Sequence, residues 1–227
     1  MKQRVPAGAE LLFPDIGRAE AYAELLATEG VRRGLIGPRE VERLWDRHLV
    51  NSALLAGEFA QGASIADVGT GAGLPGMVVA LARPDLQVTL VEPLLRRVTF
   101  LSEVVDALEL PHVTIVRGRA DEVSGRFDAV ASRAVARLPQ LLRWCVPLAR
   151  AGGTVVAMKG EAALAELEES RELWHGDVLG QAEVRTVEGP GGFSPVTFVR
   201  VPVRKAVKVG WGVAAQRAAT KRSGRRR

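Results

Sequence analysis

The chain has 227 residues, 47% of them hydrophobic, with a formal charge of +5; that is enough apolar material for one large α/β domain with a helical addition. No apolar run reaches the length of a membrane span, and the first 20 residues lack a signal-peptide pattern, so a cytoplasmic protein with no membrane partner is expected. A single cysteine, Cys145, excludes an internal disulfide and a multi-cysteine zinc site, and no metal is expected.

The charge is unevenly distributed. Nine of the 31 Lys/Arg fall in residues 204–227, which hold no Asp or Glu. Residues 1–203 keep 22 basic against 26 acidic residues, a net of −4. A mildly acidic globular part therefore carries a basic arm, expected to be flexible and attracted to polyanions such as RNA.

Taken in order, Pro14 to Thr28 places Ile16, Ala19, Ala23, Leu25 and Leu26 on one helical face, and Glu29-Gly30 is expected to stop that helix. Gly37-Pro38 opens a second helix that carries Leu44, Trp45 and Leu49 toward a core and ends near Gly57 or Gly62. On it, Arg47 and Asn51, and His48 and Ser52, stack at i and i+4. Their plainer reading is an exposed face with a half-buried histidine.

Strands are expected at Ser64–Val68, Val88–Val91, Val113–Val116, Phe127–Ala131 and Thr154–Met158, the last entered through a Gly152-Gly153 turn. Between them lie helices at Gly76–Ala82, Arg96–Leu108 and Leu138–Leu148. A charged amphipathic helix over Glu161–Trp174 and two closing strands, Ala182–Val187 and Val196–Val203, complete the pattern. Alternating strands and helices imply a Rossmann-like, mostly parallel seven-stranded sheet. Residues 1–62 form an N-terminal helical extension, 63–203 the main domain and 204–227 the tail.

Ligands in such sheets sit beyond the C-terminal strand ends. The first strand runs into Gly69-Thr70-Gly71-Ala72-Gly73-Leu74-Pro75-Gly76, a loop whose glycines let main-chain N–H groups approach a ligand. Residues 71–76 match the dinucleotide fingerprint G-x-G-x-x-G, which is weak alone. The glycines start two residues early, Pro75 sits where the helix should open onto a pyrophosphate, and the only tyrosine, Tyr22, lies outside the sheet region. Asp67-x-Gly69-x-Gly71-x-Gly73 is instead the commoner layout of S-adenosylmethionine (SAM) enzymes. Glu92, at the end of the second strand, is placed to accept both ribose hydroxyls. The backbone of Ala120-Asp121 is placed to face the adenine, with an N-cap as the plainer role of Asp121.

The fourth strand leads into Ser132-Arg133-Ala134-Val135. This lacks the Asp/Asn-Pro-Pro-aromatic motif of exocyclic-amine methylation. Cys145 lies within a helix beside Trp144, where a buried, inert thiol is expected rather than the nucleophile of pyrimidine-carbon methylation. An acceptor that already carries a lone pair, such as guanine N7, needs no general base, so alignment is the main catalytic requirement.

At this point the chain resembles the RsmG (GidB) type of bacterial small-subunit ribosomal RNA guanine-N7 methyltransferase, with an actinobacterial look. The matching pieces are Arg47-His48 with Asn51-Ser52, Asp67 through Gly76, Arg83-Pro84, Arg96-Arg97, Gly118 through Glu122, Ser132-Arg133-Ala134 and Lys159-Gly160. They are collinear over roughly Leu44 to Glu161. The resemblance implies that Gly69, Leu74, Ala120, Asp121 and Arg133 touch SAM, joined by Gly71 and Glu92 from the loop reading. It also implies a target guanine in the 530-type decoding loop of 16S rRNA, with the small ribosomal subunit or its precursor as partner. Arg47, His48 and Lys159 are the candidates for positioning the substrate, and a monomer is expected. In place of the Asn-Leu-Thr segment common in the family stands Val31 to Gly37, so no role carries over there. The other readings open at this stage are an NAD(P)-dependent oxidoreductase, from the formal fingerprint, and an RNA-binding protein with a vestigial cofactor site, from the tail.

Overall fold

The structure is a computed structural model and describes residues 4–174 and 177–211. Seven strands form one sheet in the order β3-β2-β1-β4-β5-β7-β6. They are β1 (Ser64–Val68), β2 (Gln87–Glu92), β3 (Val113–Arg117), β4 (Phe127–Arg133), β5 (Ala149–Lys159), β6 (Glu183–Val187) and β7 (Val196–Pro202). The first five pair in parallel, while β7 pairs antiparallel with both β5 and β6. The helices are α1 (Ile16–Leu25), α2 (Asn51–Leu55), α3 (Gly76–Ala82), α4 (Leu95–Ala107), α5 (Leu138–Cys145) and α6 (Ala163–Glu169).

Each central strand feeds two cores, because successive side chains leave opposite faces of a sheet. On one face Ile65, Leu90, Ala131 and Val156 meet α3, α4 and the N-terminal helices, with Tyr22, Leu26 and Leu49 buried in the same cluster. On the other, Ala66, Val68, Val130 and Val155 meet the α5 side chains Leu138, Leu141 and Leu142. Residues 4–62 thus share a core with the sheet, rather than forming a separate one.

The first helix does not stop at Glu29-Gly30. It passes through a wide turn at Leu26–Gly30 and ends at Gly34, which takes φ 65°. Glu29 explains the extension: its carboxylate pairs forward with Arg32 and Arg33 on the next turn. Gly152-Gly153 is likewise not a turn before a strand but lies inside β5, where the pairing with β4 shifts register, as at a β-bulge. Pro38 does open a helical run, though an irregular one, tight over Pro38–Arg43 and wide over Leu44–Val50.

The chain moves outward from β1 to β2 and β3, then returns to place β4 on the other flank of β1. The C-terminal ends of β1 and β4 therefore face each other across the point where strand order reverses, the usual place for a ligand crevice.

Candidate active site

A cavity of about 1120 Å³ opens at that point. Its floor is the glycine loop, and three side chains hold the loop in shape. The buried Asp67 carboxylate accepts a hydrogen bond from the Gly76 N–H at 2.7 Å, tying the last turn of β1 to the first turn of α3, where a negative charge is favoured. The fully buried Tyr22 hydroxyl donates to the Ala72 carbonyl at 2.8 Å. Glu92, 1% exposed, accepts from the Gly71 N–H at 3.0 Å and the Leu94 N–H at 3.0 Å, and pairs with Arg97 at 3.3 Å.

Two glycines are demanded by close approach. Gly69 has φ 73°, and a Cβ there would lie 2.7 Å from Val135. Gly73 has φ 105°, and a Cβ would lie 2.6 Å from the Tyr22 hydroxyl. Both combine a left-handed backbone with no room for a side chain.

Burial pushes the Asp67 carboxyl up to about 6 and the Tyr22 phenol well above its usual range. The Thr70 hydroxyl, a hydrogen-bond partner of the Asp67 carboxylate, pulls the other way and lowers the Asp67 pKa. Gly69, Thr70 and Gly71 line the cavity, and the glycines leave room there for the methionine part of SAM. Glu92 Oε2 accepts from both the Gly71 N–H and Arg97, while Oε1 accepts only from the Leu94 N–H and keeps a lone pair, which fits a ribose hydroxyl. Ala120 and Asp121 also line the cavity. Asp121 lies inside a short turn, Ala120–Glu122, rather than capping it; Arg119 holds the cap position, its N–H donating to Glu122.

The end of β4 builds the opposite wall. Ser132 donates to the Val68 carbonyl at 2.9 Å, locking β4 to the strand that launches the glycine loop. Ala134 takes φ 54°, uncommon for a residue with a Cβ. Between them Arg133 reaches back to the N-terminal helical run. Its guanidinium donates to His48 Nδ1 at 2.7 Å, the Arg47 carbonyl at 3.1 Å and Ser52 Oγ at 3.3 Å. His48 Nε2 in turn lies 2.8 Å from Glu40. Since Nδ1 faces an arginine donor, the proton sits on Nε2 and the ring is neutral. Burial first, then the Arg133 charge, holds the His48 pKa below its ordinary value, in agreement. Arg47 lines the cavity with its side chain half exposed.

Of the sequence-predicted site residues, Gly69, Gly71, Leu74, Glu92, Ala120, Asp121, Arg133, Arg47 and His48 all line this one cavity. Lys159 does not. Its ammonium donates to the Ala136 carbonyl at 2.7 Å and pairs with Glu166 at 2.8 Å, and Glu166 also accepts from the Leu138 N–H that opens α5. Lys159 is a clamp between β5, α5 and α6, so the expectation that it positions substrate is corrected. Cys145 is fully buried, and burial raises its thiol well above the usual range, which removes it as a nucleophile.

Sequence reasoning missed Tyr22, Glu40, Gln140 and Trp144. Tyr22 stands 50 residues before its partner, and no spacing rule connects the two. Gln140 and Trp144 reach the cavity because α5 folds back over it.

A family model described as "GidB: rRNA small subunit methyltransferase G" matches residues 15–190. A ribosomal RNA small subunit methyltransferase G from Thermobifida fusca is 49% identical over 223 residues, covering 97% of this chain and 94% of that protein. One from Streptomyces coelicolor is 49% identical over 228 residues, covering 98% and 95%. In fold, the chain is similar to an O-methyltransferase from Bacillus cereus solved in complex with SAH, with a TM-score of 0.56 at 16% identity over 86% of this chain and 94% of that one.

Proposed function

The chain belongs to the rRNA small subunit methyltransferase G (GidB) family, and from that premise we propose that it methylates N7 of a guanine in the 530-type loop of 16S rRNA. The oxidoreductase reading of the loop is set aside by the same membership. SAM is the cofactor; when bound, it supplies an electrophilic methyl group on its sulfonium.

The observation that carries the N7 assignment is the commitment of the cavity's buried proton acceptors. His48 accepts from Arg133 through one nitrogen and donates to Glu40 through the other. Glu92 is held by two backbone N–H groups and Arg97. Neither is free to take a proton from a substrate. N7 has no proton to lose, so a site whose buried acceptors are already taken up suits it, and the protein's part is orientation. Gly69 to Leu74 and Glu92 hold the cofactor, Arg133 braces the wall between cofactor and substrate, and Arg47 and His48 border the substrate space.

Residues 1–62 serve as a helical wall of the site on domain 63–203, and the basic residues of 204–227 strengthen attachment to rRNA; most of that tail, from 212 onward, lies outside the described residues. No helix among the described residues is long and apolar enough to cross a membrane, and the ribosomal substrate places the enzyme in the cytoplasm, acting as a monomer. Mapping the nucleotide labelled in small ribosomal subunits by the enzyme and labelled SAM tests the assignment. Label on guanine, released by cleavage selective for N7-methylguanine, is expected; label elsewhere refutes it.

A further inference from the structure

The cavity is larger than the ~300–1,000 Å³ typical of a pocket for one small molecule, at about 1120 Å³, and its mouth has an unusual composition. Seven large apolar side chains are exposed among the described residues, and four of them, Leu94, Val135, Trp144 and Val209, line this cavity. Trp144 is 38% exposed on α5, next to the fully buried Cys145, and Val209 is 57% exposed. Apolar groups gathered at the rim of a functional cleft mark a contact surface.

The charges among them are cationic in balance. Glu40 is taken up by His48 and Arg47, and Glu92 by Arg97. Arg119 also lines the cavity and is exposed; it makes no ion pair among the described residues. Asp121 is the exposed carboxylate facing them. An exposed indole in a cavity that arginines also line is the combination that receives bases of single-stranded RNA, whose unstacked faces rest on aromatic rings while guanidinium groups meet phosphate. A duplex would leave the indole unused, because its base faces are already covered. A protein partner would match the apolar groups but not the arginines.

We propose that the cavity mouth binds an unstacked RNA base next to the methylated one, with Trp144 as its stacking platform and Arg119 and Arg47 meeting the flanking phosphates. This rests on the rRNA methyltransferase reading above. Trp144 is then a positioning residue for the RNA, distinct from the cofactor-holding loop.

The test uses the full chain and small ribosomal subunits lacking the modification. Trp144→Ala is expected to raise KM for the subunits about tenfold, and Trp144→Phe to recover most of that loss, since a phenyl ring still stacks. SAM affinity, measured by calorimetry without RNA, is expected to move less than twofold in both. In the wild type bound to SAH, a single-stranded RNA oligonucleotide should quench tryptophan fluorescence, and the quench should be largely lost in Trp144→Phe; this readout holds even if the alanine variant folds poorly. An unchanged KM, or an equal loss of SAM affinity marking Trp144 as a wall of the cofactor site, would overturn the proposal. If the wild type labelled no small-subunit RNA at all, the function reading itself would fail, and this inference with it.

Discussion

The Tyr22 hydroxyl donates to the carbonyl of Ala72 at 2.8 Å, so a helix at the start of the chain holds the glycine loop from beneath. The same hydroxyl lies 2.6 Å from where a Cβ on Gly73 would stand. Tyr22→Phe keeps the packing and removes the bond, leaving a buried carbonyl unsatisfied. A stability loss of about 1–2 kcal/mol is expected in urea denaturation, with weaker SAM binding by calorimetry. An unchanged SAM affinity would show that the loop keeps its shape without this bond.

Arg133 is the brace between β4 and the second helical run, with three partners there. Arg133→Ala is expected to cut methylation by at least about 100-fold, through misplaced geometry. Lysine cannot replace the forked donor set, so Arg133→Lys should remain well below wild type. Removing the neighbouring positive charge also lifts part of the depression of His48. An NMR titration of the His48 ring in Arg133→Ala should therefore show its pKa rising; a fall would contradict the assigned electrostatics.

Asp67 is buried with its carboxyl raised to about 6 from an ordinary 3.8. The folded state then holds the proton more tightly than the unfolded chain does. Between about pH 4 and pH 6 the native protein binds more protons, so this residue's contribution to stability falls as pH rises and levels off above pH 6. The effect is on the order of 2–3 kcal/mol. Asp67→Asn removes it. The stability of that variant relative to wild type should accordingly improve from pH 4 to pH 7 in paired denaturant titrations, and a flat difference would place Asp67 in a wetter setting.

Lys159 and Glu166 form a nearly buried pair at 2.8 Å. Lys159→Met strands a carboxylate that also holds the first turn of α5. A loss of about 2–4 kcal/mol in stability is expected, while RNA affinity of the folded fraction stays near wild type. A selective loss of RNA binding with intact stability would return Lys159 to the substrate.

Deleting residues 214–227 removes six Lys/Arg. RNA affinity is expected to fall at low salt, with a shallower dependence of log K on log salt, and SAM affinity to stay unchanged. Equal RNA affinity at low salt would make the tail a bystander.

Local pattern decided most of the architecture. Ser64–Val68 and Gly76–Ala82 were legible to the residue, because a short apolar run, a glycine cluster and a following Arg-Pro each act on the backbone over a few positions. That Glu92 and Arg133 line one cavity was legible because a parallel sheet brings its C-terminal strand ends together. Where local signals competed, the sequence was ambiguous. Glu29-Gly30 reads as a stop until the Glu29 pairs with Arg32 and Arg33 are seen, and Gly152-Gly153 reads as a turn until β5 is seen to bulge around it.

The partners of single side chains were decided only by the tertiary structure. Lys159 and Arg133 look alike as cations after a strand. One turns toward Glu166 on α6 and the other toward His48, 85 residues away. Tyr22 carries no motif, yet it sets the shape of the loop that does. Sequence spacing constrains what neighbours along the chain can do, whereas a buried hydrogen bond depends on which distant atoms the packed core brings within 3 Å. The glycine loop and its cofactor could thus be read from one dimension, but the bracing of that loop and the apolar mouth above it exist only in three.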